Sequence, residues 1–201
     1  RHARFQGDFK WAVYNASKTW KILWEKYNVV SVRQRVRMLD DQLMAEMYGI
    51  LLRGVTDGGQ AKITAMYSSF DKSFTDEEGT TRNLNNVLDF FVKNLGDSLI
   101  GNPVINAPHF LMLFAALSYG IVGIPRGELN ENDYPERVPE ALSDLNIVRN
   151  NLLTLGSIIE SDIPVQGFED FWRASKSSTQ RIASRTIRFP VYYRALLPEN
   201  I

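Results

Sequence analysis

The sequence predicts an all-α fold, a single globular unit of about seven or eight helices. Three observations lead there. Apolar residues recur at three- and four-residue spacing through most of the 201 residues. The stretches between them carry Gly, Pro, Asn and Asp, the residues that start and stop helices. No hairpin, βαβ unit or internal repeat is legible.

In chain order, Phe9, Val13, Ala16, Trp20, Leu23, Trp24 and Tyr27 form one apolar stripe, so a helix is expected over 8–27. The β-branched run 28–32 reads as extended. Arg33, Arg35 and Arg37 then alternate with Gln34, Val36 and Met38 ahead of a helix at 40–53, where Asp40 and Asp41 suit the positive N-terminal end. Asp57-Gly58-Gly59 is a turn, and 60–70 is a third helix. A fourth begins near Thr75, whose spacing to Glu78 fits a capping box, and runs to Leu95. After Gly101-Asn102-Pro103, Asn106 is placed to cap an apolar helix over 107–119, with Pro108 in its first turn. Residues 123–139, with three prolines, read as a loop or internal linker between an N-terminal part, 1–122, and a C-terminal part, 140–201. Pro139 is expected to open a helix that ends before Asp162-Ile163-Pro164. A short helix, a Ser-rich turn and a last helix interrupted near Pro190 complete the chain.

Composition is that of an ordinary globular domain, with 44% hydrophobic and 23% charged residues. No apolar run reaches the roughly 18 residues of a membrane span. The lack of cysteine excludes disulfides and thiolate metal sites and is compatible with a cytoplasmic location. The opening at Arg1 suggests a piece of a longer protein.

A net charge of zero conceals segregation: residues 1–39 carry +7, residues 40–170 carry −12 and residues 171–198 carry +6. The last block combines Arg173, Lys176, Arg181, Arg185 and Arg188 with six Ser/Thr and with Trp172, Phe189, Tyr192 and Tyr193. Cations neutralise phosphates, hydroxyls bond their oxygens and aromatics stack on bases, so these five are the candidate nucleic-acid contacts. The competing reading docks the basic ends on the chain's own acidic middle.

Catalytic patterns fail. Gly96-Asp97-Ser98-Leu99 matches a lipase-type motif, but no Asp-x-x-His supplies its base. Gly96 to Gly101 has Walker spacing with Asn102 and Pro103 where Lys and Ser/Thr belong. His2 and His109 lack ligand partners at helical spacing, and His109 fits a structural role in the apolar helix. Asp40, Asp41 and Glu46 lack a second acidic cluster for a metal. No catalytic residue, metal site or cofactor is expected in this chain.

The opening RHARFQGDF resembles the Glu-Leu-Arg-Asn-Ala-x-Tyr-x-Gly-x-Phe segment of GmrSD-type modification-dependent restriction proteins, through Arg1, Ala3, Phe5, Gly7 and Phe9. Arg37, Met38, Asp40, Gly54 and Asp57 resemble the family's Arg-Met-x-Asp helix and following turn. Tyr67, Phe70 and Asp71 resemble its Tyr-x-x-Phe-Asp, and Arg185, Arg188 and Phe189 its Arg-x-x-Arg-Phe close. The resemblance implies the helical region of such a protein, between a nucleotidase-like domain and a His-Asn-His nuclease, with the family's catalytic residues elsewhere. Asp57-Gly58-Gly59-Gln60 imitates the family's Asp-Gly-Gln-Gln-Arg motif, but Ala61 and Lys62 follow and the order is wrong, so it reads as a turn. The expected role is a non-catalytic recognition or coupling domain in anti-phage defence, contacting DNA or linking a nucleotidase-like domain to a nuclease. The alternative is a helical protein–protein interaction domain with no nucleic-acid role. Expected partners are DNA, other domains of the same parent protein and a second copy of the chain, with no membrane.

Overall fold

The most apolar stretch becomes the axis of the molecule. In the computed structural model, which describes residues 5–201, helix α7 (Ala107–Ile121) is buried without interruption from His109 to Tyr119. A helix with no polar face has to be covered on every side. Three long helices do this: α4 (Leu39–Arg53), α6 (Glu77–Asn94) and α10 (Ile182–Arg194). Around them lie α1 (Asp8–Thr19), α2 (Ile22–Glu25), α3 (Val32–Arg35), α5 (Gln60–Phe70), α8 (Leu145–Glu160) and α9 (Glu169–Lys176). Eight of these ten helices exceed two turns, no strand occurs among the described residues, and the fold is all-α as the periodicity predicts.

Aromatic side chains fasten the periphery. Phe9 sits amid Tyr48, Tyr67, Phe70 and Phe74, with the Tyr67 ring centroid at 5.1 Å. At the other end Tyr119 contacts Tyr134 and Tyr193, both at 4.9 Å. Such edge-on and tilted pairs add about 0.5–1.5 kcal/mol each beyond their buried area.

The departures from expectation have local causes. The helix expected over 8–27 breaks after Thr19, and the Trp24 indole N–H donates to the Ser17 carbonyl at the break. The run expected to extend over 28–32 gives way at Val32 to a short helix, where Ser31 and Gln34 form a reciprocal capping box. The box expected from Thr75 and Glu78 does not form, and α6 starts after Asp76. Asn106 precedes α7 without a side-chain capping bond. Pro139 opens no helix; α8 starts at Leu145, where the Asp144 carboxylate accepts from the Asn146 and Ile147 N–H groups. The last helix runs through Pro190, held on both sides by buried Phe189, Tyr192 and Tyr193.

Residues 123–139 are irregular but do not separate two bodies. Tyr134 stacks on Phe189, Leu129 is buried, Gly127 bridges to Val55, and the Val138 N–H donates to the Tyr193 hydroxyl. One apolar cluster contains residues from both 1–122 and 140–201.

Candidate functional site

Of the five cations singled out from the sequence, two point inward. Arg185 is 3% exposed: its Nη2 meets Glu46 Oε2 at 2.6 Å and its Nη1 donates to the Thr56 carbonyl at 3.1 Å. Arg188 is fully buried and donates to the carbonyls of Pro108 and Thr179, and burial pulls its guanidinium down to about 10. In this arrangement neither can reach a phosphate backbone. Lys176 donates to the Ile159 carbonyl and lies over the Trp172 ring. Arg173 and Arg181 are exposed, but pair with Asp170 and Asp57 at 3.0 and 3.2 Å. The helical face shared by Arg181, Arg185 and Arg188 is therefore mostly a packing surface. Arg181–Asp57, Arg185–Glu46 and Lys26–Asp97 join basic ends to the acidic middle, which is the intramolecular complementarity raised as the competing reading.

Asp57 works across the fold. Its Oδ1 accepts from the Ile182 N–H at 2.7 Å, capping α10 where Arg181 supplies no side-chain cap, and the neighbouring Gly58 N–H donates to the Gln180 carbonyl. A Cβ on Gly58 would collide with Arg185, so that turn needs a bare backbone.

The Glu46–Arg185 pair is shared by two cavities. One, of about 150 Å³, lies between α4, α5 and the turns at 56–58 and 128. The other, of about 180 Å³, lies where Gln34 faces Thr179 and Gln180, so the two basic ends of the chain meet there. Arg185 Nε is buried with no hydrogen-bond partner. At the rim of the first cavity Lys62 and Glu128 pair at 2.8 Å; the contact raises the lysine and holds the carboxyl below its usual range.

A surface that the sequence reading did not single out lies at 31–38. Val32, Val36 and Met38 are 65%, 81% and 43% exposed, and Met38 adopts a left-handed backbone (φ 60°). Arg33 and Arg37 are exposed beside them and make no ion pair among the described residues. The alternation of Arg with Val and Met was visible in the sequence. The coil at α3, which turns Val32 and Val36 outward together at i, i+4 spacing, was not.

The remaining motif residues make contacts within the fold. Ser98 Oγ donates to the Leu95 carbonyl, and Asp97 is engaged by Lys26 and Tyr27. His109 is buried against Tyr192, and burial with the nearby Arg188 charge lowers it to about 3. No group of three or more His, Asp or Glu poised for a metal ion occurs among the described residues. No helix among them is long and apolar enough to cross a membrane. Arg1, His2 and Ala3 lie outside the described residues.

Residues behind the restriction-protein resemblance converge in space. Phe5 stacks on Tyr67, Phe9 packs on Tyr67 and Phe70, and Asp71 Oδ1 accepts from the Gln6 and Gly7 N–H groups. Gly54, at φ 76°, passes Pro125 too closely for a Cβ. Comparison with protein-family models, curated proteins and solved structures returns no match.

Proposed function

We propose that this chain is a non-catalytic helical coupling domain that docks, through residues 31–38, on an acid-rimmed apolar surface of another domain of its parent protein. The observation that carries the reading is a contrast. The C-terminal cations fasten the chain to itself, whereas Arg33 and Arg37 make no ion pair among the described residues and stand beside exposed Val32, Val36 and Met38. Clustered exposed apolar side chains mark interaction surfaces, and unpaired arginines select a partner carrying carboxylates. The left-handed Met38 adds a strained residue at the same place, a feature that clusters at working surfaces. The parent envisaged is a restriction-type defence protein, on the resemblance of its motifs, with this chain linking a nucleotidase-like domain to a nuclease.

Hydrogen–deuterium exchange tests the reading, comparing the 201-residue chain with the longer protein. Amides at 31–38 should slow at least about tenfold in the longer protein, as expected when a locally open segment becomes covered. Val36→Asp with Arg37→Glu should abolish that protection without lowering the melting temperature of the chain alone. Equal exchange in both contexts overturns the reading.

A further inference from the structure

The cavity between α4 and α5 offers a different kind of site, independent of the docking surface. Its floor is apolar, formed by Gly49, Ile50, Ile63 and Met66. Gly49 keeps it open, since a Cβ there would stand 3.0 Å from Met66 Sδ. A cavity of about 150 Å³ accommodates a benzene-sized group. The polar rim holds three carboxylates, two of which are fully engaged. Asp57 takes the Ile182 N–H on one oxygen and Arg181 on the other, and Glu128 takes Lys62 on one and the Asp57 N–H on the other. Glu46 is committed to Arg185.

The cations are not all matched. Arg53, also on the rim, stacks over Phe70 at 5.3 Å and makes no ion pair among the described residues, while Arg185 retains its unpartnered Nε. One unpaired guanidinium above an apolar floor suits a single negative charge. A dianion would find a single unpaired guanidinium, because the other nearby cations are already matched by Glu46, Asp57 and Glu128. Guanidinium binds carboxylate through two parallel hydrogen bonds, which fixes orientation as well as charge.

We propose that this cleft binds a small carboxylate with a compact apolar body, its anionic group on Arg53 and its body against Ile50, Ile63 and Met66. Both a free aromatic or branched acid and the C-terminal residue of a peptide carry this chemistry.

Sodium benzoate represents the first source and N-acetyl-leucine the second, with benzamide as the uncharged isostere and inorganic phosphate as the competing anion. Binding is followed by the Met66 methyl resonance and by thermal shift. At ten times its Kd, a bound carboxylate should raise the melting temperature by about 3–6 °C for a domain of this size. Arg53→Gln, an exposed substitution, should weaken binding at least tenfold while the ligand-free melting temperature stays within about 2 °C. The tighter of benzoate and N-acetyl-leucine identifies the source. Equal binding of benzamide, tighter binding of phosphate, or no Met66 response to either carboxylate at 20 mM, on the order of a weak fragment's Kd, overturns the proposal.

Discussion

Replacing Arg185 with Gln should unfold this protein well below its normal melting temperature. The guanidinium and its partner carboxylate on Glu46 have side chains only 4% and 11% exposed, at 2.6 Å from each other, and a second guanidinium nitrogen holds the Thr56 carbonyl. Removing one member of a buried pair strands the other charge and costs about 3–5 kcal/mol. In a domain of this size each kcal/mol moves the melting temperature by about 2–4 °C, so a fall of roughly 6–20 °C is expected. Arg181→Gln is the control. Its pair with Asp57 has the arginine 68% exposed, and surface pairs contribute at most about 1 kcal/mol. The double replacement Glu46→Leu with Arg185→Leu removes both charges together and should recover much of the loss seen in Arg185→Gln. Thermal and urea melts read all four proteins. A shift under about 3 °C for Arg185→Gln would refute the fastening role, because even the low end of the buried-pair range exceeds it.

Three further outcomes follow from the same geometry. Gly54→Ala should lose several kcal/mol in urea melts, since φ 76° and the close passage of Pro125 both exclude a Cβ there. Acid should destabilise the fold through His109. Its folded value of about 3 lies below the ordinary 6.5, so the unfolded chain takes up the proton first; stability is complete above about 6.5 and falls by up to about 1.4 kcal/mol per pH unit below it. Melts between pH 6.5 and 5, above the carboxylate range, should therefore slope in the native protein and flatten in His109→Gln. Asp57→Ala should fray the start of α10, seen as faster hydrogen exchange at Ile182, because the carboxylate that receives that N–H comes from across the fold.

Helix identity was legible in the sequence wherever a long apolar stripe ran between breakers: 60–70 begins and ends as the periodicity says, and the 40–53 and 107–119 helices shift by a residue or two. Boundaries set by capping chemistry were less legible. Ser31 and Gln34 made a capping box that the β-branched run concealed, and Thr75 with Glu78 had the spacing without the bonds. The basic stretch was legible as charge but not as direction. Arg181, Arg185 and Arg188 share a helical face, and helical spacing cannot say whether that face meets water or Glu46, Pro108 and Thr179. The partners lie at |i−j| of 139 for Glu46 and 80 for Pro108, separations over which local pattern carries no information. The exposed 31–38 segment was not legible for the converse reason: the alternation of Arg33, Arg35 and Arg37 with Gln34, Val36 and Met38 carries no sign of the coil that turns Val32 and Val36 outward.

Arg185 and Arg188 lie inside the fold, and Arg173, Lys176 and Arg181 are engaged within the chain, so the C-terminal cations are expected to fasten the fold and not to bind phosphates. Equilibrium DNA binding of the 201-residue chain between 50 and 200 mM salt tests it most directly. Each phosphate neutralised steepens the log–log slope by about 0.9, so weak binding with a slope shallower than about −1 is expected. A slope of about −4 or steeper that flattens by about 3 in the variant Arg173→Gln, Lys176→Gln, Arg181→Gln, with its melting temperature unchanged, would contradict it.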